Sequence, residues 1–134
     1  MIQIAIVEDE EIYVKQLTEY IRKYQTERGK SIKVTVFGDG EDITENYSGG
    51  FDIILMDIQM PCMDGYESTR RIRKLPDERS QTPIVAMTAN AFEEDRKAAF
   101  AVGMNGYVVK PIELPVLMET MAAVLPQAGS HQKK

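Results

Sequence analysis

Five polar or charged residues directly follow short apolar runs in this 134-residue sequence, and their types could do chemistry together. They are Glu8, Asp9, Asp57, Thr88 and Lys110. Carboxylates held close together repel one another, so their pKa values rise unless a cation joins them. Carboxylate oxygens suit Mg²⁺, which prefers six oxygen ligands and keeps some of its waters. The three acids therefore indicate a weakly held divalent cation, whose coordination an oxygen of a substrate would complete.

One of these acids, Asp57, could act as a nucleophile. A carboxylate beside Mg²⁺ and an ammonium group can attack a phosphorus atom, which gives an aspartyl phosphate. The cation and Lys110 would offset the negative charge of the transferring group. The hydroxyl of Thr88 could then donate a hydrogen bond to a phosphoryl oxygen. These residue types together favour phosphoryl transfer onto Asp57.

The elements that must position these residues alternate five times between strand and helix. Nearly continuous, β-branched apolar runs predict strands covered on both faces. The predicted strands are Ile2–Val7, Ile32–Phe37, Phe51–Met56, Ile84–Met87 and Tyr107–Val109. Apolar residues at helical spacing predict the helices. They run from about Glu10 to Gln25, up to about Tyr47, over Glu67–Leu75, from about Glu93 to Val102, and from near Pro115.

This alternation predicts an α/β domain with a doubly wound parallel sheet, helices on both faces and right-handed crossovers. Sites in such open sheets form outside the carboxyl ends of the strands, where the five residues lie. Residues 1–125 form the domain, and residues 126–134 are expected to be a flexible polar tail. The last helix should bury Leu117, Met118, Met121 and Leu125.

Composition limits the function classes. The chain is 43% hydrophobic and 28% charged, as in globular domains. Its formal charge of −5 argues against nucleic acid or an anionic membrane as the main partner. With a single cysteine, Cys62, no disulfide can form within the chain. No signal peptide and no membrane span is visible, so we expect a cytoplasmic protein.

Each candidate residue also has a simpler explanation when it is taken alone. Glu8 and Asp9 could be solvated acids at a helix start, and Thr88 could cap a helix. The basic run from Arg70 to Lys74 is expected to be a solvated helix face, and His131 to be inert. It is the joint placement at successive strand ends that favours a functional site.

Four motifs, in this order and spacing, resemble the receiver domain of two-component response regulators over residues 2 to about 125. They are I-V-E-D-E, I-I-L-M-D-I-Q-M-P-C-M-D-G, P-I-V-A-M-T-A-N-A and G-M-N-G-Y-V-V-K-P-I. The resemblance implies a flavodoxin-like fold with five strands in the order 2-1-3-4-5 and five helices. The first half is similar to receivers paired with LytTR-type DNA-binding domains. The second half is similar to receivers of hybrid histidine kinases. The combination of these two halves could arise in a natural chain or in a recombined one.

The resemblance also implies roles for individual residues. Asp57 would be the phosphoacceptor. The metal, Mg²⁺ or Mn²⁺, would be bound by Glu8, Asp9, Asp57 and the backbone carbonyl of Gln59. Glu8 stands where Asp is common, so its contact could run through water. The phosphoryl group would be bound by Thr88 and Lys110.

Further implications concern switching and partners. Tyr107 would be the switch aromatic that repacks with Thr88, and the Lys110–Pro111 peptide would be cis. The fourth helix, fifth strand and last helix would form the responding surface, for a partner or a homodimer. The phosphoryl donor would be a histidine kinase or a histidine phosphotransfer protein. The chain would be a stand-alone receiver, a phosphorelay shuttle or part of a longer protein.

Three other function classes stay open at this point. A haloacid-dehalogenase-type phosphatase also uses a strand-end Asp with Mg²⁺, but its second acid would fall at Gln59, which argues against an enzyme with outside substrates. A phosphorylation-independent pseudo-receiver would use the same fold for binding alone. Flavin binding is a third alternative, because fold alone does not set function.

Overall fold

The computed structural model describes residues 2–47, 49–60, 63–89 and 92–132, with side chains described to Val124. Strand and helix alternate throughout. The strands are β1 (Ile2–Val7), β2 (Ile32–Phe37), β3 (Ile53–Asp57), β4 (Ile84–Thr88) and β5 (Gly106–Val109). The helices are α1 (Glu11–Arg28), α2 (Gly40–Asn46), α3 (Gly65–Arg73), α4 (Glu93–Ala101) and α5 (Leu114–Gln132).

The five strands form one parallel sheet in the order β2-β1-β3-β4-β5, which confirms the predicted fold. Every residue of β3 and β4 is buried, as expected for central strands covered on both faces. In the register, Asp57 is opposite Met87 and Thr88 is opposite Val109. The chain order reverses between β1 and β3, and a crevice forms at such a switch point.

Two apolar layers lie on opposite faces of this sheet. Alternate β1 residues face opposite ways, so Ile4 and Ile6 pack in one layer, while Ala5 and Val7 pack in the other. The first layer is closed by α1 and α5, and the second by α2, α3 and α4. Each fully buried Ile or Leu stabilises the fold by about 1.5–3 kcal/mol relative to an exposed side chain. This burial holds the strand ends in fixed positions.

Local capping moves several predicted boundaries. Helix α3 begins at Gly65, two residues before the predicted start, because the Asp64 carboxylate accepts the N–H of Glu67 at 2.8 Å. Helix α1 continues to Arg28, and Gly29 ends it in the left-handed region at φ 62°. The predicted loop over residues 76–83 contains a short 3-10 helix, Glu78–Gln81.

The last helix buries Leu117 and Met121 as predicted, whereas Met118 is only half-buried and packs against the first layer. The side chain of Leu125 lies outside the described part of the chain. The described backbone is helical to Gln132, while the flexible tail over residues 126–134 stays a prediction. Among the described residues, no helix is both long and apolar enough to cross a bilayer.

The expectation of a solvated basic face on α3 is wrong for Arg73. Its guanidinium is half-buried and donates five hydrogen bonds of 2.7–2.9 Å. The acceptors are the carbonyls of Ser80, Thr82 and Gly103 and the side chain of Asn105. The long aliphatic stem lets the charge reach across α3, and the carbonyls satisfy it there. Arg73 therefore ties α3 to the α4–β5 turn.

Candidate functional site

Four of the predicted residues meet at the carboxyl edge of the sheet. The Lys110 ammonium lies 2.7 Å from Glu8 Oε1 and 3.1 Å from Asp57 Oδ1. The backbone N–H of Lys110 donates to the carbonyl of Thr88 at 2.6 Å, which brings the end of β5 beside β4. The side chains of all three charged residues are at most 6% exposed. The ammonium group of Lys110 is thus held between two buried carboxylates.

The predicted Asp9 lies at the surface beside Glu8. The carboxylate oxygens of Glu8, Asp9 and Glu10 lie within 4.8 Å of one another. Such a set of hard oxygen donors fits a divalent cation of the Mg²⁺ type. Sequence reasoning did not single out Glu10, although it belongs to the same E-D-E-E run.

The loop after Asp57 is held by backbone contacts. The N–H of Gly65 donates to the Ile58 carbonyl at 2.8 Å. A Cβ at position 65 would lie 2.6 Å from the Asp57 carbonyl oxygen, so this close approach requires glycine. From the β2–α2 loop, Asp39 accepts the N–H of Met63 at 3.1 Å. Gln59 therefore lies in a loop that is fixed on both sides, with its side chain exposed.

An open cleft of about 470 Å³ leads to Thr88 from the α3–α4 side. It is lined by Ile58, Gln59, Met60, Asp64, Tyr66, Thr88 and Asp95. Tyr66 crosses the cleft, because its hydroxyl donates to the backbone carbonyl of Asp95 at 3.3 Å. The cleft gives Thr88 an approach from outside.

Tyr107 lies on the same face of the sheet as Thr88. It is opposite Ala86 in the register. Ala86 and Thr88 are two residues apart in β4, so their side chains point to the same face of the sheet. Its half-buried ring packs against the second apolar layer, which α4 closes. Both predicted switch residues therefore lie on the sheet face that α2, α3 and α4 cover. The predicted cis peptide between Lys110 and Pro111 is confirmed.

Burial dominates the electrostatics of the site. Loss of solvation raises the pKa of Glu8 to about 7, and the charge of Asp57 adds to this, while Lys110 opposes it. Burial likewise raises the pKa of Asp57 against the lowering effect of Lys110. For Lys110, burial lowers the pKa, but the hydrogen bonds to Glu8 and Asp57 outweigh it and raise the pKa. The two acids are thus poorly compensated by one ammonium group.

The pH dependence of stability should reveal this. The pKa of Glu8 is about 7 in the folded chain and near its ordinary 4.5 when unfolded, so the folded state holds more protons between these values. Stability without divalent cations should therefore fall as pH rises from 4.5 to 7, by on the order of 3 kcal/mol. Urea unfolding across this range measures the slope. Glu8→Gln should flatten it, and an equal slope in both proteins would contradict the assignment.

An aromatic ring completes the site. The Tyr13 ring lies with its centroid 4.1 Å from the Lys110 ammonium. Sequence reasoning placed Tyr13 only on the apolar stripe of α1, because spacing cannot show which side chain faces it from β5. Pro61, Cys62 and Asn90, which belong to the motifs quoted above, lie outside the described residues.

Fold and site together define a class of protein. It is a flavodoxin-like α/β domain with acids, a hydroxyl and a paired lysine at the carboxyl edge of its switch point. The chain belongs to the response regulator receiver domain family, whose model matches residues 4–122.

Individual relatives agree with this membership. The chain is 47% identical over 75 residues to "Probable histidine kinase 2" of Oryza sativa subsp. indica. That match covers 55% of the chain but 7% of the kinase, so the chain spans a small part of this curated relative.

Two solved structures share the fold. The first is the receiver domain of sensor histidine kinase PA1611 from Pseudomonas aeruginosa PAO1, with magnesium coordinated in its active site cleft. It has 30% identity and a TM-score of 0.79, and the match covers 92% of this chain and 97% of that one. The second is a co-crystal of the Saccharomyces cerevisiae histidine phosphotransfer signaling protein Ypd1 with the receiver domain of its downstream response regulator Ssk1. It has 27% identity and a TM-score of 0.79, and covers 92% and 88% of the two chains.

Proposed function

We propose that this receiver domain accepts a phosphoryl group on Asp57 and works as a phosphorylation-operated switch in a two-component or phosphorelay system. One observation carries the proposal: the buried Asp57 carboxylate lies 3.1 Å from the Lys110 ammonium, at the edge where Thr88 also ends its strand. A bond would form between an Asp57 oxygen and the phosphorus atom of a phosphohistidine donor, as the bond from that phosphorus to the histidine nitrogen breaks. Lys110 and the Thr88 hydroxyl would then bind the phosphoryl oxygens.

A divalent cation, Mg²⁺ or Mn²⁺, would be held by Glu8, Asp9, Asp57 and the backbone carbonyl of Gln59. When bound, it offsets the negative charge of the transferring group. The grouped oxygens of Glu8, Asp9 and Glu10 support a cation beside Glu8, as does the magnesium described for the Pseudomonas receiver. Because the pKa of Glu8 is raised, a proton would compete with the cation for this carboxylate.

The phosphoryl donor would be a histidine kinase or a histidine phosphotransfer protein. The kinase relative and the co-crystal containing Ypd1 support this class of partner. The chain would catalyse only its own phosphorylation and dephosphorylation, because Gln59 follows Asp57 where a phosphatase would need a second acid. Its acidic net charge favours protein partners over direct contact with nucleic acid or an anionic membrane, and we propose that it meets them in the cytoplasm.

The responding surface would be formed by α4, β5 and α5. Thr88 and Tyr107 share the sheet face that α2, α3 and α4 cover, so a phosphoryl group that attracts Thr88 would alter the packing of Tyr107. This surface also exposes apolar side chains: Phe100 is 41% and Val116 40% exposed. Such residues suit a docking partner or a homodimer through the same elements.

The proposal is tested by incubating the chain with a small phosphodonor, with Mg²⁺ or with a chelator, and measuring the intact mass. We expect one phosphoryl group on the protein in the presence of Mg²⁺ and none with the chelator. Absence of an adduct, together with failure to bind beryllofluoride, would overturn the proposal in favour of a pseudo-receiver.

The same phosphorylated sample reports on the switch. Backbone amide NMR shifts should change at the site and across α4, β5 and α5, while the amino-terminal ends of β1 and β3 should keep theirs. Identical shifts across α4, β5 and α5 in both forms would contradict the responding surface even if Asp57 is phosphorylated.

A further inference from the structure

The first turn of α1 is tied directly to the Lys110 ammonium. Glu8 contacts Lys110 through Oε1 at 2.7 Å and accepts the backbone N–H of Glu10 through Oε2 at 3.1 Å. The carbonyl of Glu10 in turn accepts the N–H of Tyr13 at 3.1 Å. One carboxylate therefore fixes both the ammonium and the start of the helix that carries Tyr13.

Helix geometry then places the Tyr13 ring over Lys110. The stripe of α1 that faces the sheet contains Leu17, Ile21 and Tyr24, all buried. Tyr13 continues this stripe by one turn, past the core and toward the carboxyl edge. Its ring centroid lies 4.1 Å from Lys110 Nζ, within the range in which an aromatic face attracts a cation. The ammonium thus has carboxylate oxygens on two sides and a ring face on another.

We propose that Tyr13 is a positioning residue for phosphoryl transfer, holding the Lys110 ammonium toward Asp57 through its ring face. The inference rests on the proposed function, since it gives Lys110 a partner in that reaction. A lysine has a long flexible stem and can adopt many rotamers. The Tyr13 ring leaves the ammonium few positions other than the one beside Asp57, and it needs no hydroxyl to do so.

The test compares Tyr13→Phe, which keeps the ring, with Tyr13→Leu, which removes it. Tyr20→Leu is a matched control: Tyr20 is half-buried on the same helix and bonds Gln16 rather than the site. With a small phosphodonor and Mg²⁺, Tyr13→Leu should phosphorylate roughly tenfold more slowly, as expected for losing a ring from a desolvated ammonium. Tyr13→Phe and Tyr20→Leu should stay close to the parent.

A second readout is independent of activity. An aromatic face shifts nearby protons upfield, so the Lys110 ε-methylene protons should resonate upfield in the parent and in Tyr13→Phe, without Mg²⁺ or phosphodonor. In Tyr13→Leu they should return to the position of the other lysines. Equal phosphorylation rates in Tyr13→Leu and parent, or a Lys110 shift unchanged by loss of the ring, would overturn the inference. A parent that takes up no phosphoryl group would instead overturn the proposed function, while the upfield shift would still confirm the contact.

Discussion

Replacing Asp57 by asparagine should abolish phosphoryl uptake. The amide has nearly the same shape as the carboxylate, but it is not a nucleophile and cannot form the acyl phosphate. The change also removes one of two buried charges that share Lys110, and burial raises the pKa of Asp57, so the variant should fold at least as stably as the parent. Intact mass after incubation with phosphodonor and Mg²⁺ measures the loss.

A matched control comes from the other end of the same strand. Asp52 precedes β3 and accepts the N–H of Gln3 at 2.8 Å, far from the carboxyl edge. An amide oxygen can accept the same hydrogen bond, so Asp52→Asn should take up one phosphoryl group like the parent. An adduct on Asp57→Asn at the parental level would place the acceptor elsewhere in the chain.

Replacing Lys110 by methionine should have the largest effect on stability. The methionine fills the space of the lysine stem, but Glu8 and Asp57 then lie buried without a counter-charge. Breaking a buried ion pair from one side costs about 3–5 kcal/mol. At pH 8, where keeping the two acids protonated costs the most free energy, we expect a loss of this size in urea unfolding. Phosphoryl uptake should fall sharply as well, because the transferring group loses its protein cation.

The loss should shrink at low pH. Both acids already have raised pKa values, and without Lys110 they can take up protons near pH 5, which removes the repulsion. Lys97 on α4 is exposed, so Lys97→Met is a control that should change stability little at either pH. An equal loss at pH 5 and pH 8 for Lys110→Met would point to packing rather than charge.

Much of the site could be predicted from the sequence because the apolar runs of the strands end sharply. β1, β3 and β4 are nearly continuous apolar runs, and each run ends in a polar residue that parallel order brings to one edge. Glu8, Asp57 and Thr88 could therefore be assigned to the carboxyl edge of the sheet before any contact was known. For Lys110, the sequence predicted only that it ends a strand. Its pairing with two acids became visible only in the structure.

Contacts between distant elements could not be predicted in this way. Periodicity assigned Tyr13 to an apolar stripe and Arg73 to a solvated face, because it shows which face a residue is on but not what lies opposite. Tyr13 proves to face an ammonium and Arg73 a set of carbonyls. Both side chains combine an apolar body with a polar or charged interaction, and such residues follow a hydropathy pattern poorly.

Three of the five hydrogen bonds of Arg73 reach the turn after α4, so the two ends of α4 are attached differently. The turn after α4 is fastened through Gly103 and Asn105 to acceptors without formal charge, so neither salt nor mild acid should loosen it. At its beginning, α4 meets α3 through the 3.3 Å hydrogen bond from Tyr66 to the Asp95 carbonyl. A disturbance that starts near Thr88 would therefore swing the helix about its far end, with its largest displacement at Glu93.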